Sequence, residues 1–307
     1  MTAPLQPVLV MPVYRGGAKF QRALESVRGA EEFFKRVIIS LNSPLGSSDE
    51  QAVENFLADG ETQIEVIQTG EELPWIPHQY FWLDYLEKTG EGSSSWVMWF
   101  AHDDELRPRG IRNLVDEAGN WPLADGTIYL GPWGVRYDPP GALFDGDRNS
   151  PLESWTSFPI NGPLRIPVAQ WIADQLIQPT YINMSGCVTK LASFQQLRDF
   201  QYQKPGGMRI EMATAAAPIN KMAEEFSEPL VITYTSKGSD RTTYAKVARK
   251  DDAHLLPWLG SYTVQHPGSI GTFTKAGLSL MRQRLGQNLK SKKPLAEEWR
   301  RRETVES

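Results

Sequence analysis

The stretch from Trp96 to Leu106 constrains the fold of this chain more than any other. Five large apolar residues, Trp96 to Phe100, run without interruption towards the polar sequence His-Asp-Asp-Glu at 102–105. This run is too short for a typical helix and too continuous for a strand with one solvated face, so it predicts a strand buried on both faces. In open α/β sheets, ligands bind at the edge where such strands end. Adjacent carboxylates repel each other, so we expect a cation or a strong donor between them, commonly a divalent metal that carries phosphate oxygens.

The segments around this strand alternate between strand and helix patterns. Short apolar runs predict strands, and apolar residues at helical spacing predict helices between them. Crossovers of this kind favour parallel, right-handed pairing. Strands are predicted near 8–11, 37–39, 64–67, 127–130, 181–190 and 230–234, and helices near 20–27, 51–57, 81–86, 108–118, 168–176, 191–200 and 212–219.

Two connections are predicted to be irregular. Ser40 to Asp49 is polar and predicts a loop at the carboxyl end of the second strand. Residues 131–167 are rich in Gly, Pro, Asp and Trp and have weak periodicity, and a loop of that length usually serves a site or is mobile.

Composition narrows the functional classes. The chain has 307 residues, a formal net charge of -5 and a pI of about 5.5, so no global basic field favours nucleic acid. The one cysteine, Cys187, cannot form an internal disulfide or a cysteine-rich zinc site. The N-terminus lacks the basic segment of a signal peptide, and no apolar run approaches the ~20 residues of a membrane span. We therefore expect a cytoplasmic protein without a nucleic-acid partner.

The composition shifts from about Ala245, and the end of the chain is basic. We predict one α/β domain over residues 1–245 and a basic, helical extension over 246–307. The extension alternates apolar and cationic residues, as helices at a membrane interface do, which would bring the protein to the inner face of a membrane. A solvated helix docked on the domain is the favoured interpretation, because the positive charge is diluted by Glu297, Glu298, Glu303 and Glu306.

Segments in this order resemble the GT-A glycosyltransferases of family 2, which are inverting enzymes that use nucleotide-sugar donors. The opening Val10-Met11-Pro12-Val13-Tyr14 resembles the family's first strand and the Pro-x-Tyr that follows it. Asp103-Asp104-Glu105-Leu106-x-Pro108 resembles its aspartate-bearing strand end. The sequence 205–212 resembles the helix start that carries the family's acidic pair, and 228–242 resembles its closing strand and loop. The resemblance covers roughly residues 7–243, and several segments together are more specific than one motif.

This resemblance implies a GT-A-like (Rossmann-like) open, mostly parallel sheet flanked by helices. It also implies transfer of a hexose, with inversion, to a hydroxyl of a glycan or lipid-linked glycan in polysaccharide biosynthesis. Glu211 would be the general base, and Asp103 and Asp104 would hold a divalent metal, Mn²⁺ or Mg²⁺, that assists departure of the diphosphate. The implied nucleotide-sugar contacts are Pro12, Val13, Tyr14, Ser40, Asn42, His102, Asp103, Asp104 and Arg241.

The sequence departs from the family pattern at three places. The first aspartate of the family's Asp-x-Asp falls on Ala101, the aspartate that holds uracil or ribose falls near Leu41, and Met212 takes the second acidic position. A non-catalytic protein that binds nucleotide or glycan is therefore one alternative. A nucleotidyltransferase is another, although it would want a Gly-rich, basic loop, of which residues 13–17 offer only a faint version.

Each candidate also has a structural interpretation. Asp103 and Asp104 could form a turn into the helix at Pro108, with their side chains bonded to their own backbone. Glu211 could be a solvated acid in the first turn of a helix, where the dipole favours it. His102 could pack as a neutral neighbour of the strand.

Overall fold

The structure is a computed structural model. It describes residues 6–60, 64–118, 128–130, 133–138, 153–155, 165–166, 185, 187–195, 219–221, 231–236, 263–264, 267–275 and 278. The predicted helix at 168–176, Glu211 and Arg241 lie outside these residues, as does most of the extension 246–307. The predicted helix at 212–219 also lies outside them except for Ile219, which is not helical but begins a strand, Ile219–Lys221. The division of the chain at residue 245 therefore stays a prediction.

The described elements alternate along the chain. The strands are β1 Val8–Val13, β2 Arg36–Pro44, β3 Ile64–Gly70, β4 Trp96–Trp99, β5 Asp104–Leu106, β6 Ile128–Leu130, β7 Trp133–Asp138, β8 Glu153–Trp155, β9 Arg165–Ile166, β10 Cys187–Lys190, β11 Ile219–Lys221 and β12 Val231–Ser236. The helices are α1 Gly17–Arg28, α2 Ser48–Ala58, α3 Trp75–Lys88, α4 Pro108–Ala118 and α5 Leu191–Gln195, with short 3-10 turns at Glu31–Phe33 and Pro267–Ser269. In the described part of the chain, no helix combines the length and apolar character that spanning a membrane requires.

The main sheet has the strand order β3-β2-β1-β4-β10-β6-β11-β9. β1 pairs in parallel with β2 on one side and with β4 on the other, and β2 pairs in parallel with β3. β10 is antiparallel to both β4 and β6. The predicted α/β class, with an open and mostly parallel sheet flanked by helices, is confirmed.

Both faces of the main sheet are covered, which explains the continuous apolar runs of its strands. Alternate residues of β1 face opposite cores. Leu9, Met11 and Val13 pack with α1, α2 and α4, and Val8 and Val10 pack with α3 and α5. In β4, Met98 and Val97 divide in the same way.

Two predictions of irregular structure are wrong in part. The segment Ser40–Pro44 is not a loop but the second half of β2, because β3 continues beside it as far as Gly70. Its polar side chains are buried with hydrogen-bond partners, which a polar pattern does not reveal. The region 131–167 also contains strands, since β7 pairs with β8 and with the distant β12.

The aspartate-bearing segment leads into a second sheet. Its order is β5-β12-β7-β8, and Asp104 is the first residue of β5, in register with Thr233 of β12. Asp104 is only 3% exposed. The sequence predicted that both aspartates leave the sheet edge together. The two aspartates are separated instead, because Asp104 pairs with β12 and is buried, whereas Asp103 lies outside β5.

Arg36 organises a network of charged side chains at the opposite, amino edge of the main sheet. Its guanidinium donates to both oxygens of Glu65, at 2.7 Å each, and to Glu91 at 3.3 Å. Arg36 lowers the pKa of Glu65. Burial alone would raise the pKa of Glu91, but hydrogen bonds from Ser95, Lys35 and Arg36 bring it below its ordinary value. This network joins β2 to β3 and to the turn before β4.

The sign of the pH dependence follows from these lowered values. A carboxyl whose pKa is lower in the folded state stabilises the fold above its unfolded pKa, and this stabilisation is lost as the pH falls through the folded pKa. The Arg36 network should therefore contribute fully at neutral pH and be lost in acid.

Replacing Arg36 with methionine should lower the free energy of unfolding by about 2 kcal/mol at pH 7, between the effect of an exposed pair and that of a buried one. Urea titration followed by tryptophan fluorescence measures this loss. The matched control, Arg112→Met, removes a pair with Glu32 in which the two side chains are 63% and 69% exposed, and it should cost less than about 0.5 kcal/mol. Equal losses in the two variants would contradict the role given to the network.

Candidate functional site at the carboxyl edge of the main sheet

The segment after β4 folds back against the end of β1. The amide of Phe100 donates to the carbonyl of Val10 at 2.9 Å, and Nδ1 of His102 lies 3.2 Å from the carbonyl oxygen of Pro12. Because a carbonyl oxygen only accepts hydrogen bonds, Nδ1 of His102 carries the proton in this contact. Nε2 of the same ring takes no part in it. Two of the predicted contact residues, Pro12 and His102, are thus neighbours at one rim.

The loop after β1 carries the accessible groups of this rim. Pro12 and Val13 are buried, whereas Tyr14 is 44% exposed. Arg15 has a φ of 51°, in the left-handed region, and its guanidinium lies 5.0 Å from the centroid of the Tyr14 ring. Arg15 also donates through Nε and Nη2 to Glu72, at 3.2 and 2.9 Å, which ties the β1–α1 loop to the β3–α3 loop. Tyr14 therefore offers a flat surface at the rim.

Ser40 is fully buried, and its predicted contact with the nucleotide sugar stays a prediction. Its hydroxyl lies 2.9 Å from Nε2 of His78, which is 2% exposed at the start of α3. Burial is the largest cause that lowers the pKa of His78, a hydrogen bond with the backbone of Ser40 opposes it and the nearby His102 adds to it, so that the pKa falls to about 4. His78 is consequently neutral at physiological pH. It packs beneath the rim as an uncharged partner of β2.

Asn42 fixes the position of the β3–α3 loop. Its side-chain nitrogen donates to the carbonyl of Leu73 at 2.8 Å, and its side-chain oxygen accepts from the amide of Leu73 at 2.7 Å. Asn42 is 3% exposed. Both ends of its amide are thus engaged with backbone, as in a strand pair. The predicted contact of Asn42 with the nucleotide stays a prediction, and in this arrangement the residue positions the loop that carries Glu72.

Asp103 lies at the rim with two cations of α1 beside it. Nζ of Lys19 is 3.8 Å from Oδ2 of Asp103, and Nη2 of Arg22 donates to the Asp103 carbonyl at 3.3 Å. The side chain of Asp103 is 43% exposed, and that of Lys19 is 22% exposed. Lys19 and Arg22 are three residues apart, so they share one face of the helix. That face is turned towards the segment after β4.

A divalent metal at the two aspartates does not fit this donor set. Asp104 is buried in β5, position 101 is an alanine, and the exposed carboxylate of Asp103 is opposed by Lys19. Among the described residues, no group of three or more His, Cys, Asp or Glu side chains is arranged to hold a metal ion. The predicted metal dependence stays a prediction.

The N-terminus of α1 already holds an anion from the same chain. The Asp49 carboxylate, 5% exposed, accepts from the amide of Gly16 at 3.1 and 3.2 Å. Helix N-termini after a first strand are common phosphate sites, because their amides and dipole favour negative charge. Here Asp49 of α2 occupies that position, so the amide of Gly16 is bonded to a carboxylate of the same chain.

Sequence reasoning missed four residues of this region: Lys19, Arg22, Asp49 and His78. The cations on α1 alternate with its apolar face and resemble solvated helix residues, and Asp49 resembles an ordinary acid in the first turn of α2. Their roles come from segments that are distant in the sequence. Glu211 and Arg241 lie outside the described residues, so the position of the predicted base is not described.

Comparison with known proteins finds similarity to solved structures alone. A scan against protein-family models gave no match, and a search of curated proteins gave none. The chain is similar to the 1–349 fragment of TarS from S. aureus, at 13% identity and a TM-score of 0.48, over 75% of this chain and 60% of that one. The same fragment in complex with UDP gives 13% identity and a TM-score of 0.47, with the same coverage of 75% and 60%. GalNAc-T7, solved with UDP, GalNAc and Mn²⁺, gives 12% identity and a TM-score of 0.46, over 80% of this chain and 48% of that one.

These are distant similarities to solved structures, and they do not single out family 2. The chain spans 60% of the TarS fragment and 48% of GalNAc-T7. The ligands named for those proteins are theirs, and the similarity does not assign them to this chain.

The stability of the protein should fall as the pH falls from 6.5 to 4, in part because of His78. The unfolded chain takes up a proton on this histidine near its ordinary pKa of 6.5, whereas the folded chain takes it up only near 4. In His78→Gln, the loss of unfolding free energy between pH 7 and pH 5 should be smaller by about 2 kcal/mol. Urea titrations at the two pH values measure the difference. An unchanged slope in the variant would contradict the buried, neutral state of His78.

Proposed function

We propose that this chain transfers a sugar from a nucleoside-diphosphate sugar to a hydroxyl group of a glycan or lipid-linked glycan, with inversion at the anomeric carbon. The observation that carries the proposal is the contact of His102 with Pro12. It sets the segment with Asp103 beside the loop with Tyr14, so that a flat aromatic surface and a charged rim share one edge. Such an edge suits a ligand that has a base at one end and a diphosphate in the middle.

The reaction requires a base for the acceptor and positive donors for the leaving group. The acceptor oxygen forms a bond to the anomeric carbon, and the bond from that carbon to the diphosphate oxygen breaks, so its electron pair leaves with the diphosphate. The acceptor proton goes to a base, for which Glu211 is the sequence-based candidate. The growing charge on the diphosphate needs donors that are already in position. Among the described cations, Lys19 and Arg22 both lie beside Asp103 at this rim.

The remaining predicted assignments are proposals of the same kind. Pro12 and Val13 would contact the nucleotide through their backbone, and Tyr14 would stack on the base. Arg241 would close over the diphosphate. The protein would work in the cytoplasm, at the inner face of a membrane if its extension 246–307 binds anionic lipid.

A nucleotidyltransferase is less well supported. Enzymes of that class need the loop after the first strand to cradle a triphosphate, and the amide of Gly16 in this loop is bonded to the buried carboxylate of Asp49. Adding triphosphate there would bring a polyanion against a buried anion, and like charges in such an environment repel strongly. A non-catalytic protein that binds nucleotide or glycan would use the same rim, and it would differ from the proposed enzyme only in having no turnover.

Binding of nucleoside diphosphates tests the proposal directly. In buffer with MnCl₂, UDP or GDP should raise the midpoint of thermal unfolding, because saturation at 100 times the dissociation constant adds about 2.7 kcal/mol. UTP and GTP should produce a clearly smaller shift at equal concentration. A larger shift with triphosphates, or no shift with any nucleoside diphosphate, would contradict sugar transfer.

Glu211→Gln separates the enzyme from the passive binder. The variant should bind the nucleoside diphosphate as the unmodified protein does, while hydrolysis of the matching nucleotide sugar falls by ~10²–10⁴-fold because the base is lost. Glu54→Gln, on the exposed side of α2, is the control and should leave both properties unchanged. Equal hydrolysis by the two variants would remove Glu211 from its role. Absence of hydrolysis in the unmodified protein, with binding intact, would favour the binder.

A further inference from the structure

We propose that Arg15 recognises the base of the donor and that this base is guanine, so that the substrate is a guanosine-diphosphate sugar. The inference rests on the proposed function and deepens it, since it names the substrate class of the same site. Its basis is the way in which Glu72 holds one side of the Arg15 guanidinium. Nε and Nη2 of Arg15 donate to Oε1 and Oε2 of Glu72, at 3.2 and 2.9 Å.

The pair of Arg15 and Glu72 spans the end of β2. Arg15 follows β1 and Glu72 follows β3, and β2 lies between these two strands in the sheet. β4 lies on the other side of β1. A base beside Arg15 would therefore lie on one side of the end of β1, and its diphosphate would extend towards the segment after β4, where Asp103 lies.

Several contacts fix the guanidinium before a ligand arrives. Its carbon lies 5.0 Å from the centroid of the Tyr14 ring, and Arg15 is the one non-glycine residue with a positive φ in the described part of the chain. Such backbone conformations are costly and concentrate at ligand sites. Glu72 precedes Leu73, whose backbone is bonded twice to the buried amide of Asn42. An exposed ion pair alone is weak, but here each partner is held by its own loop.

The contact with Glu72 leaves a second edge of the guanidinium available. The two hydrogen bonds use the edge formed by Nε and Nη2. A guanidinium carries five N–H groups in a fixed plane, and the edge formed by Nη1 and Nη2 presents two parallel donors that point away from the first edge. Such a pair suits two acceptors that lie side by side. The side chain of Arg15 is 68% exposed, so a ligand can reach this edge.

Guanine fits this pair of donors better than the other common bases do. On the edge away from the sugar it presents two adjacent acceptors, O6 and N7, and arginine binds them with two hydrogen bonds. Adenine presents N7 beside an amino group, uracil presents O4 as its acceptor, and cytosine presents an amino group. The amino groups oppose the N–H groups of the guanidinium. Tyr14 is 44% exposed, so its ring keeps surface for a base beside Arg15.

The carboxylate of Glu72 is the competing candidate for contact with the base. A carboxylate accepts from N–H groups, and guanine offers N1–H and its 2-amino group on another edge. Both oxygens of Glu72 accept from Arg15, however, which favours the guanidinium as the group that meets the base. The two assignments use different edges of guanine, so analogues of the base separate them.

Calorimetric titration of the full chain in buffer with MnCl₂ tests this inference. The probes are GDP, UDP, ADP and CDP, together with 7-deaza-GDP, which lacks the N7 acceptor, and IDP, which lacks the 2-amino group but keeps O6 and N7. The unmodified protein is compared with Arg15→Gln and Arg15→Lys. The matched control is Arg112→Gln, which removes another exposed arginine that pairs with Glu32 and lies 5.3 Å from the Phe33 ring.

The unmodified protein should bind GDP at least about 10-fold more tightly than UDP, ADP or CDP, as a good bidentate contact discriminates between bases. IDP should bind within about 3-fold of GDP, whereas 7-deaza-GDP should bind about 10-fold more weakly. Arg15→Gln should bind GDP, 7-deaza-GDP and UDP with similar affinities, because the pair of donors is lost. Arg15→Lys should recover little of the preference, since an ammonium lacks the parallel donors. Arg112→Gln should behave as the unmodified protein.

Four other results would overturn the inference. Equal or tighter binding of UDP, ADP or CDP would overturn it and leave the proposed function standing. Equal weakening of all nucleotides by Arg15→Gln would show that Arg15 contacts the diphosphate or supports the loop. Weak binding of IDP with unchanged binding of 7-deaza-GDP would assign the contact to the other edge of the base. If the unmodified protein binds no nucleoside diphosphate, both this inference and the proposed function are wrong.

The comparison of GDP with its two analogues uses the unmodified protein, so it decides the inference even where a variant does not fold. Thermal unfolding of each variant verifies its fold.

Discussion

β1 lies between β2 and β4 and pairs in parallel with both, and this pairing brings together the candidate residues Pro12, Ser40 and His102, which follow the three strands or lie at their ends. Parallel strands end at the same edge, so the segments after β1, β2 and β4 must meet there. Hydrogen bonds from Phe100 to Val10 and from His102 to Pro12 continue the β1–β4 contact beyond the strands themselves. The rim therefore continues the sheet, and it is held by one backbone hydrogen bond and by one hydrogen bond from a side chain.

The two edges of the main sheet use charge differently. At the amino edge, Arg36 pairs with Glu65 and Glu91, and Lys35 pairs with Glu91, so two positive charges meet two negative ones and join β2 to β3 and to the turn before β4. At the carboxyl edge, Lys19 lies beside the partly exposed carboxylate of Asp103, and Arg22 donates to the backbone of Asp103. The first network joins structural elements, whereas the second keeps a charged side chain exposed where parallel strands end, and ligands bind at such an edge.

The sequence predicted the elements whose apolar pattern is local. The buried strand at Trp96 and the helices of the first 118 residues follow from runs and periodicities that a short window contains. It mispredicted Ser40–Pro44, because burial of Ser40 and Asn42 depends on His78 and Leu73, which follow a whole strand later. The sequence also predicted that Asp103 and Asp104 lie together at the edge of the sheet. It did not show that they separate, because the strand that pairs with Asp104 is β12, far along the chain. The opposition of Lys19 to Asp103 required the fold, since nothing in the spacing of α1 distinguishes that lysine from a solvated one.

The central claim is that the ends of β1, β2 and β4 form a single ligand site. Hydrogen–deuterium exchange of the full chain with and without saturating UDP or GDP tests this claim most directly. The account predicts that the amides of residues 13–16, 40–43 and 101–104 gain protection together, while the amino edge around Arg36 does not change. Protection confined to one of these three segments, or located away from all of them, would contradict a shared site.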